Sequence, residues 1–338
     1  METKRIEYLD TIKGFAILLM LMGHSIAWNF PCWQNVLPIR EGMEWQDIKV
    51  GLIWNLIYSF HMALFFFVSG FLSYKENNDL QQAFFHKCKR LLIPYVVTGG
   101  LIVLFRGYFG YWFLFSLWQL SILAIVINVF LPKINKKKSI TLDFFILCII
   151  YVASRIFFSD RFMDNIYCEQ DKFCLYYFPY MGGYLLRKYD FIQKKIQSCF
   201  SICLIGFIMF FINRYLSFED EALRLIHSVL LHIGHYIMPI MGTLVVWEIF
   251  RGGIESHLQH YFSVIGKHTF EIYIFHIFFI VQIPIIGDFW LVSNFDTCLA
   301  TQLLYSVVCS VLAICLSLII SIPIRHSKLL KKIVLGEK

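Results

Sequence analysis

Apolar runs of about twenty residues follow one another along the whole chain, and only short polar segments separate them. Because about twenty apolar residues span a bilayer as an α-helix, this pattern predicts an all-α, polytopic membrane helix bundle. The runs leave no soluble block, so 1–338 is expected to be a single membrane domain with no appended soluble domain. About ten transmembrane helices are predicted, near 12–30, 52–73, 91–106, 108–131, 140–158, 173–187, 196–216, 228–250, 268–287 and 297–322.

Charge and its placement agree with a membrane location. Only 16% of the residues are charged and 58% are apolar, too little charge to cover a soluble protein of this length. The net charge of +7 does not indicate nucleic-acid binding, because the basic residues cluster between the apolar runs. If the N-terminus is cytoplasmic, 22 of the 30 Lys and Arg residues lie on the inner side. Both termini are therefore predicted to be cytoplasmic, in a multi-pass protein of the bacterial inner membrane.

The first predicted helix carries three ionisable residues, Asp10, Lys13 and His24, in LDTIKGFAILLMLMGHS. Asp10 lies three residues before Lys13 and can pair with it. His24 follows Lys13 by eleven residues, about three turns, so both project from one face with His24 about 16 Å further along the helix. A neutral imidazole at this depth is a suitable general base. From spacing alone, a histidine that bonds between helices and a lysine that marks the inner boundary are equally good interpretations.

The second predicted helix contains SFHMALFFFVSGFLSYK, with His61 in its outer half and Ser69 deeper. A serine hydroxyl can bond to a neighbouring helix, and a lone histidine in such a helix is more often structural than catalytic. Near the end of the chain, Tyr273 and His276 lie three residues apart and are predicted to be neighbours. His276 fits a role in a site and a role in helix packing equally well.

These segments together resemble the acyltransferase-3 family of integral membrane acyltransferases, and within it the fucose 4-O-acetylase-like branch. The resemblance begins with the basic residue and the histidine at Lys13 and His24, and with FHMALFFFVSGFLSYK. It continues through KRLLIPYVV, which contains Arg90, and ends at GKHTFEIYIFHIFFI. YWFLFSLW and YFPYMGGYLLRK lie between them, so the likeness covers nearly the whole chain in order.

The resemblance implies an O-acetyltransferase that moves an acetyl group from acetyl-CoA to a sugar hydroxyl of a cell-surface polysaccharide or its precursor. Acetyl-CoA is a donor substrate, and no bound cofactor is expected. A cytosolic anion would approach Lys13 and Arg90, which we assign to donor binding. His24 would act as the base or carry the acetyl group itself. The catalytic set is His24 with Asp10, and the supporting residues are His61, Ser69, Tyr273 and His276.

Two alternatives stay open. A secondary transporter would also have buried charges, but the sequence shows neither related halves nor paired broken helices. An acyltransferase of the same fold could instead use another donor, such as succinyl-CoA, or a non-sugar acceptor. A metal site is not predicted, because His227, His232 and His235 have no carboxylate or thiol at ligand spacing.

Overall fold

The computed structural model describes residues 7–30, 45–75, 79–106, 111–135, 139–157, 170–216, 218, 220–253 and 255–337. Within these ranges every regular element is a helix, which confirms the all-α prediction. A five-residue π-helix, Cys88–Leu92, joins α4 to α5. The α-helices are α1 (Glu7–Ala27), α2 (Trp45–Tyr58), α3 (His61–Ser73), α4 (Leu80–Lys87), α5 (Ile93–Arg106), α6 (Trp112–Ile134), α7 (Ile140–Phe157), α8 (Gln170–Lys188), α9 (Asp190–Ser198), α10 (Phe200–Asn213), α11 (Glu221–Gly252), α12 (Ser256–Lys267), α13 (Thr269–Phe279), α14 (Pro284–Val292), α15 (Phe295–His326) and α16 (Lys328–Val334).

Among the described residues, five helices are long and apolar enough to cross a membrane, or up to seven if each bent pair is one span. The five are Glu7–Ala27, Ile48–Ser73, Trp112–Pro132, Glu221–Gly252 and Phe295–His326. These helices and the all-α architecture support a multi-pass membrane protein. The number ten and the cytoplasmic placement of both termini stay predictions.

Two of the expected continuous helices are bent by more than 40° at a break, and here the sequence interpretation was wrong. The segment predicted at 268–287 is split into α13 and α14, which are bent by 87° at residues 280–283. Pro284 begins α14, where its missing N–H costs no helical hydrogen bond. Helices α9 and α10 form the second bent pair. The expected absence of broken helices therefore does not count against a transporter.

The chain folds into two compact units, each with its own internal packing. The first contains residues 1–65 and 196–321. Its central contact is between α1 and α12, where glycines allow the two backbones to touch. A Cβ atom on Gly14 would lie 1.9 Å from the carbonyl oxygen of Phe262, and one on Gly266 would lie 1.8 Å from that of Asp10. Only glycine allows an approach this close.

The far end of α1 is held against the break between α13 and α14 in the same unit. The side-chain oxygen of Asn29 accepts a hydrogen bond from the backbone N–H of Ile283, at 2.8 Å. Asn29 is fully buried, and its amide nitrogen donates to the carbonyl oxygen of Ser25. Because Asn29 bonds to both segments, it fixes the position of the break relative to His24, five residues earlier on α1.

The second unit contains residues 66–195 and 322–338. Its buried polar centre is Asp143 of α7, which has no exposed surface. Lys188 and the Tyr189 hydroxyl contact one carboxylate oxygen, and the Asn135 amide donates to the other at 2.7 Å. Since a buried charge is tolerated when it is paired and hydrogen-bonded, this cluster joins α6, α7 and α8 without requiring a ligand.

Candidate active site

The hydrogen bonds of His24 fix which of its nitrogens is basic. Its Nδ1 atom lies 2.9 Å from the carbonyl oxygen of Met20, one turn earlier on α1. A carbonyl can only accept, so Nδ1 carries the proton and the lone pair is on Nε2. The Tyr58 hydroxyl oxygen lies 3.2 Å from the same Nδ1 and accepts a second, longer hydrogen bond. His24 is half-buried and is held in the form in which Nε2 can act as a base.

A break between α2 and α3 places Tyr58 and His61 beside this ring. Tyr58 ends α2, and His61 begins α3 after Ser59 and Phe60. The rings of Tyr58 and His61 are 4.6 Å apart between centroids. The Nδ1 atom of His61 donates to the carbonyl oxygen of Ile57 at 2.9 Å, so its Nε2 also carries the lone pair.

His276 completes the cluster from α13. Its ring centroid lies 5.3 Å from that of His24, with the two ring planes nearly perpendicular. Nδ1 of His276 donates to the carbonyl oxygen of Tyr273 at 2.6 Å, which again leaves the lone pair on Nε2. The buried Tyr273 ring lies 5.6 Å from that of His276. The predicted proximity of these two residues is confirmed.

Tryptophans flank the three histidines. Trp28, one turn after His24, lies 5.1 Å from its ring and stacks beside His276 at 6.5 Å. Trp54 stacks on Tyr58 at 4.3 Å. Trp28, Trp54 and Tyr58 were not singled out from the sequence. The signal that could have identified them is helical spacing, since Trp28 follows His24 by four residues and Tyr58 precedes His61 by three.

Asp10 and Lys13 form the ion pair that their spacing predicted. The Lys13 Nζ atom lies 2.6 Å from the Asp10 carboxylate, with Asp10 nearly buried and Lys13 partly exposed. Asp10 precedes His24 by fourteen residues on the same helix, about 21 Å, so it does not contact the imidazole. The backbone carbonyl of Met20, rather than a carboxylate, orients His24.

Two other predicted residues belong to the second unit, and the first of them is Ser69. It lies on α3 two turns after His61, in the half of the helix that belongs to that unit. The following Gly70 packs directly on the backbone of Tyr180. Ser69 therefore lies next to a close helix contact, which is the environment expected for a small residue.

Arg90, the second of these residues, lies in the π-helix and lines an open pocket of about 1260 Å³. Its guanidinium contacts the Glu337 carboxylate at 2.6 Å and donates to the Leu335 carbonyl oxygen at 3.2 Å. The Glu337 carboxylate also lies 3.4 Å from the Lys331 Nζ atom. Lys75, Lys89 and Lys331 add positive charge to the lining.

Two titratable groups near this pocket have shifted pKa values. Burial, followed by the charges of Lys75 and Arg90, lowers the pKa of Lys87 to about 8. Burial raises the pKa of the Glu337 carboxyl, but the hydrogen bond and charge of Arg90, and then Lys331, lower it further. Its pKa therefore lies below the ordinary value of 4.5. The pocket lining thus has four cationic side chains, Lys75, Lys89, Arg90 and Lys331, against the carboxylates of Asp79 and Glu337, and this excess of positive charge suits an anionic ligand.

Comparison with known proteins identifies the family. The model of the acyltransferase-3 family, described as an acyltransferase domain, matches residues 6–322. The chain belongs to the acyltransferase-3 family. No curated protein and no solved structure matches it significantly. The protein is therefore a membrane acyltransferase. Both His24 and the glycine contacts that hold its helix lie within the matched residues of this acyltransferase.

The described part of the acyltransferase contains no set of side chains that could ligate a metal ion. No group of three or more His, Cys, Asp or Glu side chains there could hold a metal ion. His232 is exposed and donates to its own helix, and His227 contacts the Asn213 carbonyl oxygen. Because Nδ1 of His24, His61 and His276 each donates to a backbone carbonyl oxygen, each Nε2 lone pair is suited to proton transfer or hydrogen bonding.

Proposed function

We propose that this acyltransferase moves an acetyl group from acetyl-CoA to a sugar hydroxyl of a cell-surface polysaccharide or its precursor. The single observation that carries the proposal is the bond from His24 Nδ1 to the Met20 carbonyl oxygen, which reserves Nε2 as a base. A sugar hydroxyl is a poor nucleophile until a base removes its proton. His24 Nε2 accepts that proton as the oxygen attacks the thioester carbonyl carbon, and the CoA thiolate leaves.

The donor side of the proposal rests on charge. Acetyl-CoA is a cytosolic polyanion, and its phosphates favour charge-assisted bonds to Lys and Arg. Each unit has its own candidate for this binding, Lys13 at one end of α1 in the first and Arg90 in the basic pocket of the second, and each is tested by itself. Neither contact identifies the acyl chain, so succinyl-CoA is the donor to compare with acetyl-CoA.

The experiment uses the purified full-length protein in lipid nanodiscs with radiolabelled acetyl-CoA and a panel of methyl glycosides. Wild type should form acetylated glycosides, detectable by mass spectrometry. General-base catalysis contributes about 10²- to 10⁴-fold, so His24→Gln should reduce transfer by that factor. His232→Gln is the matched control, because His232 makes the same bond to its own helix but is exposed.

Three outcomes would contradict the proposal. Near-wild-type transfer by His24→Gln would leave His24 as a packing residue. A wild-type preference for succinyl-CoA would change the donor. Uptake of unmodified acetyl-CoA into proteoliposomes, without any acetylated product, would favour a transporter. This outcome is tested because α13 and α14 form a bent pair, and broken helices are typical of transporters.

A further inference from the structure

The strongest unexplained feature of the histidine cluster is the second nitrogen of two of its rings. His61 has no exposed surface, and His276 is 1% exposed. In each, the Nδ1 hydrogen is used by a backbone carbonyl about one turn earlier in the chain. The Nε2 atom of each is buried and has no hydrogen-bond partner among the described residues. Both atoms are hydrogen-bond acceptors to which no described residue donates.

An unpaired acceptor in a buried position destabilises the protein, because it has lost its hydrogen bonds to water and has gained no other. An apolar side chain would fill the same volume without that cost. The exposed His232 shows the contrast, since it bonds to Ser228 in the same way but lies at the surface. Packing alone therefore explains the Nδ1 bonds of His61 and His276 and leaves their Nε2 atoms unexplained.

The two rings surround the proposed base. The His276 centroid lies 5.3 Å from that of His24. His61 adjoins Tyr58, whose hydroxyl bonds to the Nδ1 atom of His24. Among the described residues these histidines do not form a metal-ligand group. A molecule with several O–H donors is the kind of ligand that matches imidazole lone pairs on neighbouring rings.

We propose that His61 and His276 form an acceptor subsite, in which each Nε2 atom accepts a hydrogen bond from a hydroxyl next to the one that His24 deprotonates. This inference rests on the proposed function and names its substrate class, a polyol with neighbouring hydroxyl groups. Both histidines act as specificity residues, and neither enters the bond-forming step. The Trp28 ring, stacked beside His276, would contact the carbon face of a cyclic polyol with its apolar surface.

The test uses three small probes of the same ring size: cyclohexanol, cis-1,2-cyclohexanediol and trans-1,2-cyclohexanediol. Binding to the full-length protein in nanodiscs is followed by tryptophan fluorescence without an acyl donor. Transfer is followed in parallel with labelled acetyl-CoA. A site that hydrogen-bonds a hydroxyl discriminates against analogues that lack it, so wild type should prefer one diol over cyclohexanol by at least about tenfold in both measurements.

Variants assign the preference to the two nitrogens. His276→Leu and His61→Leu should remove the diol preference and raise the KM for the diol with little change in the KM for the donor. His276→Gln and His61→Gln retain an acceptor oxygen, should keep part of the preference and guard against misfolding in the Leu variants. His232→Leu, outside the cluster, should behave as wild type.

The outcomes separate this inference from the proposed function. No diol preference in wild type, or an unchanged preference in both Leu variants, overturns the subsite. Transfer to cyclohexanol and the diols at equal rates overturns the subsite and leaves the acetyltransferase intact. A diol preference in binding that the Leu variants abolish, without any acetyl transfer, supports the subsite and overturns the proposed reaction.

Discussion

The carbonyl oxygen of Met20 lies 2.9 Å from Nδ1 of His24 on the same helix. Many catalytic histidines are oriented by a carboxylate, whereas here a backbone group of the preceding turn does so. A neutral carbonyl fixes the tautomer without stabilising a positive imidazole as a carboxylate would. The Nε2 atom is thereby reserved as a base, and the other groups around His24 have secondary roles.

Tyr58→Phe tests whether the Met20 carbonyl contributes more to orienting His24 than the Tyr58 hydroxyl does. The substitution removes the hydroxyl that lies 3.2 Å from His24 Nδ1 and keeps the ring between His24 and His61. Because Met20 still holds the tautomer, we expect kcat to fall by less than about tenfold, the value of a single neutral hydrogen bond. Tyr261→Phe, at an exposed tyrosine, is the control. A loss as large as that of His24→Gln would show that Tyr58 takes part in the proton transfer.

Lys13→Ala should raise the KM for acetyl-CoA by about ten- to a hundredfold if Lys13 binds a donor phosphate, since hydrogen bonds to charged groups have that strength. Lys13→Arg should retain substantial activity. Removing Lys13 also removes the cation that pairs with the nearly buried Asp10. The double variant Lys13→Ala/Asp10→Asn removes that charge as well. Recovery of the wild-type KM in the double variant would show that Lys13 only neutralises Asp10.

Gly14→Ala and Gly266→Ala should destabilise the protein at the contact between α1 and α12. The new Cβ atoms would lie 1.9 and 1.8 Å from the backbone oxygens of Phe262 and Asp10. Overpacking costs about 1–3 kcal/mol, and here the obstacle is backbone. Gly252→Ala, with nothing within 4 Å of its Cβ, is the matched control. Thermal unfolding in nanodiscs measures the difference, and equal midpoints for all three variants would contradict the described contact.

Glu337→Gln tests whether the carboxylate competes with the donor for Arg90. Removing the Glu337 charge should strengthen the binding of donor phosphate to Arg90 and so lower the KM for acetyl-CoA. Because partly exposed ion pairs are weak, we expect a decrease of only about two- to fivefold. Gly336→Ala should act in the same direction, because Gly336 has a φ of +63° and its Cβ would meet the Lys89 carbonyl oxygen at 2.2 Å. Glu255→Gln, at an exposed glutamate of the other unit, is the control. A rise in KM would assign Glu337 a supporting role.

The same contact has a defined pH dependence. The pKa of Glu337 is lowered in the folded protein, so the contact contributes stability above the ordinary value of 4.5 and loses it as the pH falls through the lowered pKa. Wild type and Glu337→Gln should therefore differ in donor KM at neutral pH and converge only as the pH falls through the lowered pKa of Glu337. A difference that persists in acid would exclude ionisation of Glu337 as its cause.

Topology can be measured directly. The basic asymmetry of the sequence predicts cytoplasmic reporter fusions after Lys138 and Lys195, and an extracytoplasmic fusion within residues 160–171. Lys138 and residues 160–169 lie outside the described residues. A reversed signal at two of the three points would also contradict the approach of the donor from the cytoplasm.

Local pattern in the sequence was sufficient for the helical class, for the pairing of Asp10 with Lys13 and for the neighbourhood of Tyr273 and His276. Each of these depends on residues close in the chain, where the geometry of a helix fixes the distances. The family motifs also belong to this level, since their spacing places His24 on the same helix as Lys13.

Only the tertiary structure could bring His61 and His276 to His24, or Glu337 to Arg90, because these pairs are separated by tens to hundreds of residues. In the first arrangement, His61 begins α3 directly after a break and His276 lies in the last turn of α13 before the break that precedes Pro284, and a close approach at Gly336 accompanies the second. Hydropathy did not reveal either break, since both flanking segments are apolar. The breaks become visible only through interactions such as that of Asn29 with Ile283, and such interactions depend on how distant helices pack rather than on local periodicity.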